Sequence, residues 1–281
     1  MAKVIISTTY SDTYLYFLPI TVFCWNKLNV DVICFMPSGR TTIKKDGNVL
    51  QGVYPDGNKK MYLINETIKN NKGNLSIHCF SAPEHKEATY SQLSRVFVSG
   101  IDVVDEDEVA FCSDIDMANF KLPPFDSNFD FTVLGSDLTP DTQYPVCYVS
   151  ATILNWRKYF NPSGLTYQAA MDKHLGHIEC EGFRGNYWSF EQELIFNTLQ
   201  NAECKLLPRS NGQNQFAQNR YDRDDQFILD RLNPDTIDFH MHRPGYEEKN
   251  FEIILTILKY HFPDESFDWL ISYTNAYKEL L

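Results

Sequence analysis

The sequence predicts an α/β protein with a mostly parallel central sheet, helices on its faces and a helical C-terminal end. Short apolar, β-rich runs alternate with helical patterns, the order expected of βαβ units joined by right-handed crossovers. Strand, helix and strand follow one another directly at the start, and two amphipathic patterns close the chain after residue 246. No internal repeat or low-complexity linker divides it, so a single domain with a helical tail is the simplest organisation.

Lys3 to Ser7 reads as a short buried strand ending in the polar turn Thr8-Thr9-Tyr10-Ser11-Asp12. Ser11 or Asp12 can cap a helix running to about Lys27. Val30 to Met36 is the second strand. Pro37 to Lys60 is polar, carries Asp46-Gly47 and Asp56-Gly57 turn signals, and reads as a loop or hairpin excursion. A helix near Glu66 and a strand over Leu75 to Phe80 continue the alternation. Thr89 to Ser99 is predicted helical, with Leu93, Val96 and Phe97 facing the sheet and Arg95 on the opposite face. Strands follow over Phe129 to Leu134 and Val146 to Ser150. Helices are expected over Ala151 to Phe160, Leu165 to His174 and Ser189 to Asn201. Ser210 to Asp225 lacks apolar periodicity and reads as a mobile loop, Thr236 to His240 as a last short strand. Glu247 to Leu281 carries two helices interrupted at Pro263.

With 281 residues, 43% of them hydrophobic, and 20 Phe and 16 Tyr, the chain can bury a substantial core. A net charge of -12 argues against a nucleic-acid binder, which needs a field of Lys and Arg. Seven cysteines stand singly, mostly in apolar runs and with no Cys-x-x-Cys pair, which suggests reduced, buried thiols. Met1-Ala2-Lys3-Val4-Ile5-Ile6 enters a strand without a signal-peptide pattern, and no run is long enough to cross a bilayer. The expectation is a soluble, cytoplasmic protein without a transmembrane segment.

Chemistry concentrates at Val109-Ala110-Phe111-Cys112-Ser113-Asp114-Ile115-Asp116-Met117. On a strand, Asp114 and Asp116 would leave on the same side. Two adjacent carboxylates repel and raise each other's pKa unless a cation sits between them. At the carboxyl end of a strand in an open α/β sheet, Mg2+ or Mn2+ suits that position. A polar turn after a core strand is the plainer alternative, because a bare Asp-x-Asp is a weak motif.

The order of these pieces resembles the GT-A glycosyltransferases. The resemblance covers roughly Lys3 to Tyr246, with Ser113-Asp114-Ile115-Asp116, Phe190-Glu191-Gln192 and His240-Met241-His242-Arg243-Pro244-Gly245-Tyr246 as its anchors. It implies a GT-A-like single domain over 1–246, with a Rossmann-type sheet, a nucleotide-binding half of about 1–118 and an acceptor half of about 119–246. Residues 247–281 would be a helical extension. The implied reaction moves a sugar from a nucleotide-sugar donor, a uridine diphosphate sugar by preference, to a carbohydrate or glycoprotein glycan acceptor with Mn2+ or Mg2+.

Position by position, the resemblance implies that Asp116 ligates the metal and that Asp114 contacts the donor sugar or ribose and orients the metal shell. Thr8, Thr9 and Tyr10 would line the base and ribose pocket, with Tyr10 as a stacking face. Arg95 would balance the acidic pair, His240 would complete the metal shell and Arg243 would hold a phosphate. The glycogenin-like pattern places the late His well ahead of a Lys-Pro-Trp, whereas His240 and His242 adjoin Arg243-Pro244 here; which of the two is the ligand, or whether either is, stays open. Glu191 has two readings: a general base on the acceptor side, or an acid in a first helical turn with Ser189 as N-cap. If configuration is retained, it would position the acceptor instead.

Weaker constellations are His174, His177, Glu179 and Cys180 as a zinc site, against a polar patch. Trp156, Tyr187 and Trp188 could form a sugar platform, against core aromatics. Asp222, Asp224 and Asp225 alternating with Arg220 and Arg223 read as a solvated run, or more sharply as a donor-covering loop. The rival functions are a sugar-nucleotide nucleotidyltransferase, an Asp-nucleophile phosphohydrolase and a non-catalytic carbohydrate-binding protein. The first wants a Gly-rich basic loop after the first strand, where Ser7-Thr8-Thr9-Tyr10-Ser11-Asp12 stands. The second wants an early Asp-x-Asp followed by Thr, whereas Asp116 is followed by Met117-Ala118.

Overall fold

The computed structural model of the chain describes residues 2–38, 59–83, 86–102, 104–138, 141–176, 189–209 and 219–281. The first part comprises β1 (Ala2–Ser7), α1 (Asp12–Leu15), α2 (Leu18–Lys27), β2 (Asp31–Pro37), α3 (Lys59–Asn70), β3 (Leu75–Phe80) and α4 (Glu87–Ser94). A 3-10 segment (Arg95–Gly100), β4 (Val109–Cys112), β5 (Met117–Asn119), β6 (Phe131–Leu134) and β7 (Val149–Thr152) follow. Then come α5 (Ile153–Phe160), α6 (Tyr167–Leu175), α7 (Phe190–Leu199), β8 (Cys204–Leu207), β9 (Arg220–Asp222) and β10 (Asp238–His240). The chain ends in α8 (Glu248–His261) and α9 (Asp268–Lys278).

The expected α/β architecture is the observed one. A seven-stranded sheet runs β3-β2-β1-β4-β7-β6-β8, and within it only β7 runs against its neighbours. Val4, Ile5 and Ile6 of β1 are fully buried, as a parallel strand covered on both faces requires. The chain leaves β1 towards β2 and β3 and returns to β4 on the other flank of β1. Strand order therefore reverses between β1 and β4, and ligands of open α/β sheets bind outside the carboxyl ends of strands at such a point.

Local structure departs from expectation where a residue type forbids continuity. The helix expected from Ser11 or Asp12 to Lys27 is two helices broken at Tyr16-Phe17. Pro19 lacks an N–H and is tolerated only in a first helical turn, here that of α2. The helix expected over Thr89–Ser99 ends at Ser94, and the tighter 3-10 turn that follows, with Phe97 off helical geometry, points Arg95 inward. Arg95 is 3% exposed, so the outward face assigned to it is corrected. β9 falls inside the stretch read as a loop, while 210–218 and most of the 37–60 excursion lie outside the described residues.

The C-terminal helices complete the core instead of trailing from it. Residues Leu18 to Trp25 of α2 are all buried, so the helix is covered all round. Phe23 packs on Phe262, Phe267 and Trp269. Tyr16 lies among Tyr246, Tyr273 and Tyr277, and its hydroxyl meets Thr274 Oγ1 at 2.7 Å. Gly245 is required beside this cluster, because a Cβ there would stand 2.5 Å from Phe17 and 2.8 Å from Tyr16 ring carbons. No described helix is long and apolar enough to cross a membrane.

A second, three-stranded sheet has the order β5-β10-β9. Antiparallel pairing sets His240 opposite Met117, and parallel pairing sets His240 opposite Asp222. Its anchor is Asp238, fully buried and held by both Arg209 (2.9 and 3.1 Å) and Arg220 (2.9 and 3.2 Å). Burial pushes the Asp238 carboxyl up, but the two guanidinium groups outweigh it and hold it far below the usual range. Asp238→Ala leaves two arginines without their anion and should cost about 3–5 kcal/mol, read as a lower urea midpoint. A depressed carboxyl contributes stability above its unfolded pKa near 3.9 and loses it as the pH falls below that value. The stability difference between wild type and variant should therefore narrow below about pH 4.

Candidate active site

The cleft at the β1–β4 switch point encloses about 860 Å3, its open mouth included. That is the size range of small-molecule sites. β4 stops at Cys112, and Asp114 to Asp116 form a turn in which Met117 N donates to Asp114 O at 3.3 Å. Thr21 Oγ1 donates to Ile115 O (2.6 Å), and Met241 N donates to Asp116 O (2.9 Å). Asp114 and Asp116 thus share the cleft because a turn aims them there; the alternation expected of a strand is corrected.

The repulsion between the two carboxylates is outweighed, since each has its own cation. Arg95 donates through Nη1 to Asp114 Oδ1 (2.5 Å) and Ser113 O (2.8 Å), while Nε and Nη2 fork onto the two oxygens of Glu191 (3.0 and 2.6 Å). The Cys147 thiol reaches Asp114 Oδ2 at 2.8 Å. Burial pushes Asp114 up, but Arg95, the thiol and His240 outweigh it and bring it to about 2. One guanidinium cannot neutralise two carboxylates fully. Glu191, 3% exposed at the start of α7, is therefore raised to about 7, burial outweighing Arg95.

Asp116 Oδ2 meets Arg223 Nη1 at 3.1 Å, Arg243 Nε at 3.3 Å and His240 Nε2 at 3.4 Å. Burial raises this carboxyl and Asp114 opposes ionisation, yet His240 and Arg243 hold it below the usual range. The other ring nitrogen of His240 faces Asp222 Oδ2 at 3.7 Å. Burial lowers the His240 pKa, but Asp116 and Asp222 together raise it to about 9. Arg243 also donates to the Tyr14 hydroxyl and lies over its ring, 4.9 Å from the centroid.

Thr8, Thr9, Arg95, Asp114, Asp116, Glu191, His240 and Arg243 all line this cleft. Tyr10 does not; it is half-buried against the core, and Tyr14 supplies the aromatic wall instead. His242 turns towards Phe239 and is not a lining residue, so His240 alone of the two faces Asp116. Arg223 was hidden in what read as a solvated run, and its position one residue beyond β9 brings it into the cleft. Arg220 of that run is half-buried and paired with Asp238. Trp156 is a core residue. His177, Glu179, Cys180, Tyr187 and Trp188 lie outside the described residues.

Among the described residues no three His, Cys, Asp or Glu side chains gather as a metal shell. Asp116 Oδ2 and His240 Nε2 do converge at 3.4 Å, and two donors each about 2.1 Å from one ion, at right angles, stand about 3 Å apart. A hard cation that keeps substrate phosphates as ligands needs only one or two carboxylates from the protein. The pair fits Mn2+ or Mg2+ shared with a ligand. Asp114 fits less well, its oxygens being held by Arg95 and Cys147.

No protein-family model and no curated protein matches the chain. Among solved structures it resembles the glycosyltransferase GlyE of Streptococcus pneumoniae TIGR4, at 14% identity and a TM-score of 0.49, over 98% of this chain and 63% of GlyE. It also resembles the galactosyltransferase LgtC, crystallised with donor and acceptor sugar analogues, at 9% identity and a TM-score of 0.48, over 92% of this chain and 95% of LgtC. The chain thus spans less than two thirds of the length of GlyE. Functional inference rests on the cleft itself.

Arg95→Met removes the guanidinium that faces Glu191 and so raises the Glu191 pKa further. An acid with a raised folded pKa contributes its stability below its unfolded value near 4.3 and loses it as pH rises through the folded value. The variant should lose about 3–5 kcal/mol at pH 8 and less at pH 5. Urea unfolding at both pH values checks this; equal losses would remove Glu191 from the account.

Proposed function

We propose that the protein is a glycosyltransferase that takes a sugar from a nucleoside-diphosphate donor, a uridine diphosphate sugar by preference, and passes it to a carbohydrate or glycoprotein glycan acceptor. The observation that carries this reading is Asp116, set at the β1–β4 switch point among Arg223, Arg243 and His240. A carboxylate and an imidazole can hold Mn2+ or Mg2+ beside cations that accept phosphate oxygens. Asp116 and His240 would hold the ion, which when bound supplies positive charge where the diphosphate leaving group becomes more negative.

Thr8 and Thr9, at the end of β1, offer hydroxyls to the nucleoside, and Tyr14 offers a ring face. Arg243 holds a phosphate oxygen. Arg95 keeps Asp114 ionised and aimed at the donor sugar. Both Glu191 oxygens are bonded to Arg95, which favours a positioning role over the general-base one. Gln192, next on α7, lines the same cleft and can face the acceptor.

Mn2+ and uridine diphosphate together should raise the melting temperature by roughly 5 °C at a hundredfold excess over Kd. Asp116→Asn should abolish that joint shift. No movement at saturating Mn2+ with any common nucleoside diphosphate would sink the reading.

A further inference from the structure

We propose that Arg223 is a diphosphate-binding residue whose guanidinium occupies Asp116 until a divalent cation takes the carboxylate. Cation and diphosphate then load as a pair. The inference rests on the glycosyltransferase reading and adds to it the order in which the cleft changes partners.

Asp116 Oδ2, the oxygen closest to His240, is the same atom that Arg223 Nη1 meets at 3.1 Å and Arg243 Nε at 3.3 Å. With His240 as the ion's co-ligand, one carboxylate oxygen would still have to serve two guanidinium groups and a metal ion, one partner too many. A cation that takes this oxygen must displace a donor. Arg223 is the donor best placed to leave. The two guanidinium side chains are about equally exposed, but Arg243 is also tied to Tyr14 by a hydrogen bond and by its ring, whereas Arg223 reaches Asp116 from the chain just past the last residue of β9. A freed guanidinium at the mouth of this cleft forms charge-assisted, forked hydrogen bonds with phosphate oxygens. By linkage, each ligand then strengthens the other by the same factor.

The test measures Mn2+ uptake from the electron paramagnetic resonance signal of free Mn2+, with and without uridine diphosphate, for wild type, Arg223→Gln and Arg223→Lys. Removing the competing guanidinium should make Arg223→Gln bind Mn2+ alone severalfold more tightly. The same variant should bind uridine diphosphate, in saturating Mn2+, about tenfold or more weakly, the loss of one charge-assisted hydrogen bond. Arg223→Lys, which keeps the charge and loses the fork, should fall between on both measurements. Opposite signs for the two ligands support the exchange. A variant weakened for both, or unchanged for both, while wild type binds both, overturns the role of Arg223 alone. Wild type that takes up no Mn2+ even with uridine diphosphate overturns the metal reading and this inference with it.

Discussion

Carboxylates crowded at the end of an apolar strand, Asp116 buried and Asp114 half-buried, have to be met by positive charge, and much of this fold serves to meet them. Burying an ionised group without a partner costs several kcal/mol, on the order of the net stability of a domain. Arg95 answers Asp114 from the 3-10 turn after α4. His240 answers Asp116 from β10, Arg223 from the chain after β9, and Arg243 from the turn before α8. These last segments, from Arg223 to Arg243, lie far beyond Arg95 and both carboxylates in sequence. The small β5-β10-β9 sheet brings two of them together, and the Asp238 pairs with Arg209 and Arg220 hold that sheet in place.

This dependence explains what could be read from the sequence and what could not. Largely buried strands such as β1 and β2 declare themselves, since a parallel strand covered on both faces must be an apolar run. The pattern also exposed the acidic turn, because polar residues end such a run abruptly. β5 and β9 are three residues each, too short for any periodicity, and β9 reads Arg-Tyr-Asp. Their existence is decided by pairing partners, which are tertiary facts. Arg95 was placed on the wrong face for a related reason. Helical periodicity assumes an unbroken helix, and the turn at Arg95–Gly100 abandons that geometry where the charge is needed.

The C-terminal helices belong to the same argument. Arg243 is held between the end of β10 and the Tyr16 aromatic cluster, which α9 completes through Tyr273 and Tyr277. Aromatic pairs of this kind add about 0.5–1.5 kcal/mol each beyond their area burial. Gly245 lets the backbone press against Tyr16 and Phe17, so the position of Arg243 depends on helices that never touch the cleft. An extension that merely capped the domain could be trimmed with little consequence for the site. This one could not, since removing α9 would take away packing against which the Arg243 segment is set.

Charge balance then limits what the cleft can accept. Among the described residues, Arg95, Arg223, Arg243 and His240 face Asp114, Asp116, Glu191 and Asp222. Glu191, raised to about 7, is partly protonated near neutral pH, which leaves a modest positive surplus. In surroundings less polar than water, adding a lone dication or a lone diphosphate would leave charge uncompensated, at a cost that grows as the local dielectric falls. A dication and a diphosphate entering together nearly cancel, and each finds a partner already waiting in an existing ion pair. Under the proposed function, such a site would favour the metal complex of a diphosphate over either component, through the same ion pairs that neutralise its own carboxylates.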